Sequence, residues 1–365
     1  MNFSIKNKSY KISRYPKSAN RSLQAWSAAD EHLLNYLDDI SLGSKNITIY
    51  NDRFGFLSCV LNQYSPTTVI NYRSQEKAYK INLEFNDLEV LENQIITPLS
   101  DLSNPSDVVL IKIPKSVELF KLYLNQISKS VTDDTIVICG FMTKYFASQM
   151  LTVASEYFEE VEQSKAWKKS RLLILKKKSQ IGKVKILNSI KFNENKVLKQ
   201  YFGVFSAKKI DFATQFLIEH LEVKEEEKSI LDLASGNGVI ACNIRTQNPK
   251  SEIHLLDDSF LAIESSKLNL QDENTFFHYN DTLNDFENDL FDLVVSNPPF
   301  HFEYENNIEI SIGLFKEVQR CLKDDGRFLL VSSKHLNLKT HLVKLFSSVN
   351  VIAENKKFEI YECRT

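Results

Sequence analysis

Apolar runs of strand length, each closed by turn residues, alternate with helix-length amphipathic stretches along this chain, and the same order occurs twice. A strand that feeds a helix and returns to a parallel strand is the unit of doubly wound sheets, so the pattern predicts an α/β fold with mostly parallel sheets. In the second half, Ser229–Leu233 reads as a buried strand running into Ala234-Ser235-Gly236-Asn237-Gly238. A helix over Val239–Gln247 follows and stops at Asn248-Pro249. Glu252–Leu256 is the next strand, closed by Asp257-Asp258-Ser259, and Phe260–Leu270 has helical periodicity. Phe276–Tyr279 and Phe291–Ser296 read as strands, Ile308–Cys321 as a helix, and Gly326–Ser332 and Phe358–Cys363 as late strands.

The first half carries a fainter copy. Ile47–Tyr50 leads into Asn51-Asp52-Arg53-Phe54-Gly55 and an apolar helix, then come strands over Val69–Tyr72 and Asp107–Ile113, the latter ended by Pro114. A helix over Val117–Ser128 and a strand over Ile136–Cys139 complete it, and the two series stand about 185 residues apart. We read this as an internal duplication, over the alternative that any two doubly wound domains look alike at this level of detail. The domains predicted are 1–185 and 186–365, which suits a chain of 365 residues at roughly 100–200 residues per domain.

Charge and cysteine usage exclude several classes. Lys and Arg number 45 against 47 Asp and Glu, a formal net charge of -2, which argues against a polycationic histone-like binder and against an acidic disordered tail. A local basic patch is still compatible with that average. Residues 163–193 hold ten Lys or Arg and no acid, with Lys168, Lys169, Arg171, Lys176, Lys177 and Lys178 at its centre. Two readings stand side by side: a solvated surface ribbon, and a phosphate-contacting patch, which the unbroken absence of acids favours. Trp167 within it fits base stacking or domain packing. The five cysteines are far apart with no CxxC, so neither a disulfide framework nor a zinc site is expected, and a reduced cytoplasmic protein is. Met1–Asn20 is polar, unlike a secretory signal, and no apolar run approaches the ~18–20 residues of a membrane span.

Three motifs carry chemistry. The turn around Gly236 and Gly238 lets a ligand approach the backbone and offers helix N-terminal amides, and it lacks the GxGxxG spacing of dinucleotide sites. Asp257, at the end of the second strand, is placed to accept both hydroxyls of a ribose, while Asp258 beside it reads as a helix N-cap or a ligand contact. The third motif is Ser296-Asn297-Pro298-Pro299-Phe300-His301, at the exit of a buried strand. Two prolines stiffen that exit and remove two donors, leaving acceptors: the Asn297 amide oxygen and nearby carbonyls. Such an array suits an exocyclic amine with two N–H donors, and Phe300 beside it suits stacking on the ring that bears the amine.

These motifs resemble class I S-adenosylmethionine-dependent methyltransferases acting on planar nitrogen. Asn297-Pro298-Pro299-Phe300-His301 with Gly203-Val204-Phe205-Ser206 resembles the RlmG/RsmC family of bacterial rRNA guanine-N2 methyltransferases. Asn51–Gly55, Leu110–Lys115, Ala166–Lys169 and Asn355–Phe358 look like the large-subunit (23S) branch, over nearly the whole chain. The resemblance implies two tandem Rossmann-like methyltransferase domains with only the C-terminal one active. It implies S-adenosylmethionine held by Asp232, Ser235, Gly236, Asn237 and Gly238 at its methionine and ribose end, by Asp257 at the ribose, and by Asp281 near adenine, where a loop cap is the competing role. Asn297 and the Pro298 carbonyl would hold the guanine amine, with His301 as a general base or a positioning residue. Ser235 departs from the family, which usually has Cys there.

In the N-terminal copy, Lys112-Ile113-Pro114 replaces Asn297-Pro298-Pro299 and Tyr72 faces Asp257, so acceptor array and ribose acid are both missing. The expected activity is methylation of the N2 amine of a guanine in protein-free or early-assembly 23S rRNA by a monomer without metal, the N-terminal domain holding RNA. A 16S rRNA enzyme and a non-catalytic RNA-binding or ribosome-assembly protein are the alternatives.

Overall fold

The computed structural model describes residues 1–365 except Ala19, Arg21, Leu91, Ser103, 181–183, Pro299, Phe300, Glu303, Tyr304 and Asn307; for 301–307 no side chain is described. The chain divides into two compact units, Met1–Ile186 and Leu187–Thr365.

The second unit is built on a seven-stranded sheet. Its spatial order is Thr275–Tyr279, Glu252–Asp257, Ser229–Leu233, Phe291–Ser296, Leu322–Ser333, Phe358–Arg364 and Ser348–Glu354. The first five strands are parallel, and Phe358–Arg364 runs antiparallel to both of its neighbours, Leu322–Ser333 and Ser348–Glu354. Adjacent residues of one strand serve opposite faces. Ile230, Leu293 and Leu329 pack with helix residues Leu217, Ile240 and Ile244, while Leu231, Val294 and Phe328 pack with Phe315, Val318 and Leu342. A sheet buried on both faces needs strands that are apolar throughout, which is why these runs stand out in the sequence. The order reverses between Ser229–Leu233 and Phe291–Ser296, and in open α/β sheets such a reversal opens a crevice at the carboxyl edge. The two loops leaving that edge are Ala234–Gly238 and Asn297–Pro298.

The first unit repeats this order strand for strand: Ile95–Ile96, Thr67–Val69, Ile47–Tyr50, Ser106–Lys112, Val131–Met142, Ser170–Lys178 and Phe158–Gln163. The register irregularity recurs at the same joint, between Ser106 and Val108 in one unit and Phe291 and Leu293 in the other. Register then gives residue equivalences. Tyr50 pairs with Ile111 as Leu233 pairs with Ser296, so Lys112 corresponds to Asn297. Tyr50 pairs with Val69 as Leu233 pairs with Leu256, so Ile70 corresponds to Asp257. That corrects the sequence-based alignment, which set Tyr72 there. The second strand ends at Val69, and Tyr72 is the N-cap of helix Arg73–Glu84, as Ser259 caps Phe260–Lys267.

The basic stretch belongs largely to the first sheet. Trp167-Lys168-Lys169-Ser170 is a two-residue hairpin turn with left-handed φ of 45° at Lys168 and 62° at Lys169. Among the described residues no helix is long and apolar enough to cross a membrane. All five cysteines are free and buried.

Candidate active site

The loop Ala234–Gly238 leaves the central strand through two left-handed turns. Gly236 has φ 56° and Gly238, the N-cap of helix Val239–Gln247, has φ 77°. The two glycines serve different ends. A Cβ on Gly238 would lie 3.0 Å from Ser266 Cβ and 3.2 Å from Leu255 Cδ2, so this glycine lets helix and sheet close. A Cβ on Gly236 would meet nothing within 4 Å, so this one borders open space.

Acids surround that space. Asp257 accepts the Gly236 amide at 2.9 Å through Oδ2 and the Ser259 amide at 2.8 Å through Oδ1. These bonds lock the end of the second strand to the glycine loop and leave lone pairs for further donors. Desolvation pushes its carboxyl up to about 6, with Asp258 adding to the rise and the Gly236 and Ser259 amides opposing it. Asp232 is fully buried. Its Oδ2 accepts the Ala241 amide at 3.0 Å, and burial raises it to about 7. Its Oδ1 and the hydroxyl of Ser235 are buried without a hydrogen-bond partner among the described residues. Two orphaned polar atoms beside an open glycine are what a polar ligand of this loop would satisfy.

The other predicted residues fall as follows. Asn237 turns its amide away from the loop, donating to Gln200 Oε1 at 2.8 Å and accepting the Val239 amide at 3.2 Å, so only its backbone faces the loop. Asp281 follows the third strand, its amide bonded to Asn280 Oδ1 at 2.9 Å. Beside it lies a cavity of about 180 Å³ lined by Leu256, His278, Tyr279, Asn280, Asp285 and Phe286. The helix N-cap is Ser259, whose hydroxyl accepts the Ala262 amide, rather than Asp258.

Asn297 is the centre of the second loop. Its Nδ2 donates to Thr214 Oγ1 at 2.9 Å and approaches Asp211 Oδ2 at 3.5 Å. A carboxylate only accepts, so the nitrogen end of the amide must face Asp211, and Oδ1 is turned the other way. Asp211 is fixed in turn as the N-cap of helix Phe212–His220, receiving the amides of Ala213 and Thr214. Sequence reasoning missed Asp211 and Thr214, although Asp211 before the apolar run Phe212–Ile218 is a recognisable N-cap signal. Pro298 is buried at the strand exit. Phe300 lies outside the described residues, as does the His301 side chain; the His301–Phe302 backbone pairs with Glu305–Asn306.

The first unit keeps the loop and fills it. Asn51 has φ 58° and Gly55 φ 72°, against 60° at Ala234 and 77° at Gly238. Arg53 stands where Gly236 stands. It is buried, donates through Nη2 to Ser74 Oγ at 2.7 Å and lies over the rings of Phe54 and Tyr72. The side chain thus reaches from the loop to the start of the helix that follows the second strand, whereas the space at Gly236 stays open. Lys112, in the place of Asn297, pairs with Asp30 at 2.8 Å. Asp30 and Thr214 are both the third residue of the helix before their first strand, so an ion pair replaces the amide contact at matching positions.

The basic ribbon is less free than its sequence implies. Lys168 pairs with Glu31 at 3.0 Å, Lys177 with Glu160 at 2.5 Å, and Arg171 donates to Gln163 at 3.0 Å. Lys176 stands opposite Glu160 on the neighbouring strand, and Lys169 and Lys178 sit at the turn and at the strand end. Glu31 comes from far along the chain and Glu160 from the neighbouring strand just before the counted stretch, so a count confined to 163–193 sees neither.

The sheet order, the glycine loop with its acid, and the acceptor at the fourth strand define a class I methyltransferase domain preceded by a second copy of the same fold. Family models agree: "RLMG N-terminal domain" matches residues 1–180 and "Methyltransferase small domain" matches 195–362. The chain belongs to the family of ribosomal RNA large subunit methyltransferase G. The protein of that name from Vibrio vulnificus is 32% identical, with 96% of this chain and 95% of the relative covered. That from Aliivibrio fischeri is 33% identical over 98% and 97%. Among solved structures, the T. thermophilus 16S rRNA N2 methyltransferase RsmC, in complex with AdoMet and guanosine, shares the fold with a TM-score of 0.79 at 15% identity, covering 100% of this chain and 97% of that one.

Proposed function

We propose that this chain uses S-adenosylmethionine to methylate the exocyclic N2 amine of a guanine in 23S rRNA. The observation that carries the reading is the orientation of Asn297: its nitrogen is tied to Thr214 and Asp211, so its oxygen is the end left to receive an amine. Together with the Pro298 carbonyl it offers two acceptors to the two N–H bonds of one planar amine. Holding both directs the nitrogen lone pair, and positioning of this kind supplies a large part of a transfer rate. A paired guanine must first leave its stack, which unfolded or early-assembly RNA makes cheaper.

The cofactor supplies an electrophilic methyl group on sulfur. Asp232 Oδ1, Ser235 Oγ and the backbone around Gly236 are the groups suited to its methionine end, Asp257 to the ribose hydroxyls, and Asp281 to the adenine side. Phe300 is retained as the ring that stacks on the guanine. Exposed ion pairs are worth about 0–1 kcal/mol, so Lys168 and Lys177 can exchange Glu31 and Glu160 for phosphates. With Lys169, Arg171, Lys176 and Lys178 they form an accessory RNA contact in the first unit. The site requires no metal, and a cytoplasmic monomer fits the reading.

The decisive experiment maps N2-methylguanosine in the rRNA of cells with and without this protein. Loss of one such mark in 23S rRNA is expected; loss of a 16S mark instead, or tritiated methyl transfer only to DNA or release factor, would overturn the assignment. Asn297→Ala should abolish transfer and leave S-adenosylmethionine affinity nearly unchanged.

A further inference from the structure

Segment 200–214 is fastened to the candidate site at both ends. At one end Gln200 accepts from Asn237 of the glycine loop at 2.8 Å and donates to the carbonyls of Val204 at 3.3 Å and Phe205 at 3.4 Å. At the other end Asp211 and Thr214 hold the Asn297 amide. Between these anchors the chain turns through Gly203 with φ 94° and Ser206 with φ 63°, and the Ser206 hydroxyl donates to the Lys209 carbonyl at 2.5 Å.

This braced turn buries Val204 and leaves two large rings in water. Phe205 is 71% exposed and Phe212 is 58% exposed. Burying a phenylalanine contributes about 1.5–3 kcal/mol, which the turn forgoes twice within eight residues. Cations accompany the rings. Lys208 and Lys209 are exposed, and Lys209 Nζ stands 3.7 Å from the centroid of the Phe212 ring. Neither lysine forms an ion pair among the described residues, unlike Lys168 and Lys177 of the basic ribbon.

We infer that residues 203–212 form a stacking platform for single-stranded RNA, receiving the nucleotides that flank the target guanine. Exposed rings take bases of any sequence on their faces, and adjacent lysines neutralise the phosphates between those bases. One end of the segment positions the acceptor amide and the other holds the glycine loop, so RNA seated on the rings delivers its neighbouring base to the place where those two loops meet. The inference rests on the reading of Asn297 as the acceptor of a nucleobase amine.

The test measures binding without turnover. Fluorescence anisotropy of a labelled single-stranded RNA oligonucleotide is compared for the full-length wild type and for Phe205→Leu, Phe212→Leu and Phe205→Trp. Each leucine variant should weaken RNA binding roughly tenfold, because a branched alkyl chain keeps the bulk and loses the stacking face, while tryptophan should restore it. Affinity for S-adenosylmethionine should stay unchanged. The Lys208→Ala/Lys209→Ala double variant should lower the salt slope of RNA binding by about 1.4, at roughly 0.7 per phosphate contact on a single strand, and the leucine variants should leave that slope alone. Wild-type RNA affinity in both leucine variants would overturn the platform. A parallel loss of S-adenosylmethionine affinity would overturn it too by assigning the rings to the cofactor, and so would a dimer that Phe205→Leu dissolves, by assigning them to a second copy. The reaction is judged separately, by whether the wild type forms N2-methylguanosine, so its failure and that of the platform are told apart.

Discussion

The amide nitrogen of Asn297 lies 2.9 Å from Thr214 Oγ1, a contact between a strand exit and the first turn of a helix 83 residues earlier in the chain. It is the shorter of two bonds on that nitrogen; the Asp211 carboxylate, which only accepts, sets which end of the amide turns inward, and Thr214 holds it there. Thr214→Val keeps the shape and removes that partner, so the amide loses its shorter bond and keeps only the 3.5 Å approach to Asp211. We expect kcat to fall about 10–100-fold, the range seen when an outer partner of a functional ligand is removed. Affinity for S-adenosylmethionine should hold, and Thr214→Ser should restore turnover. Single-turnover kinetics beside cofactor titration checks this; full activity in the valine variant would show that Asp211 alone is enough to hold Asn297.

The first unit should not take the cofactor. Arg53 fills the gap that stays open at Gly236, and Ile70 stands where Asp257 stands. Calorimetric titration of the full-length chain should give one S-adenosylmethionine per molecule, and Asp257→Ala should remove essentially all of the heat. A stoichiometry of two would refute the equivalence.

Cofactor affinity should depend on pH through Asp257. Its carboxyl is raised to about 6 by desolvation, and Asp258 and the buried Asp232 are the acids near it. Ribose hydroxyls donate, so they prefer the ionised form. The Asp257 contribution to binding should therefore be level above pH 7 and weaken below pH 6, approaching tenfold per unit, while Asp232, raised to about 7, begins to protonate at higher pH. The stability of the free protein runs the other way. Folded Asp257 holds its proton to higher pH than the unfolded chain, so its contribution falls as pH rises from about 4 to 6 and is flat beyond. Kd against pH, read beside denaturant melts, separates the two trends.

The glycines of the second loop should fail differently. Gly236→Ala places a methyl in open space at φ 56°, so the fold should survive at a cost of about 1–2 kcal/mol while cofactor affinity drops. Gly238→Ala adds a Cβ 3.0 Å from Ser266 Cβ, and the helix must shift; we expect a larger loss, about 3 kcal/mol. Thermal melts with and without cofactor distinguish a binding defect from a folding defect.

Much of this was legible in the residues. The strands Ser229–Leu233 and Phe291–Ser296 and the helices Val239–Gln247 and Ile308–Cys321 occupy the spans read from the sequence, because strands covered on both faces are continuously apolar and amphipathic helices repeat about every 3.6 residues. What escaped was long-range. Nothing local tells that Thr214 meets Asn297, or that Glu31 faces the acid-free ribbon. The second strand of the first unit is three residues long, too short to carry an alternation, and the misplaced register at Tyr72 follows from that.

Arg53 has a consequence for cohesion under heat. A side chain lodged in an inherited cavity does permanently what a bound small molecule does only while present, so the first unit is complete as synthesised. At Gly236 the second unit carries no side chain to do this among the described residues, and it gains a further increment of stability by mass action, as RT ln(1 + [L]/Kd). Loading with cofactor should raise the melting transition of the second unit and leave that of the first where it was.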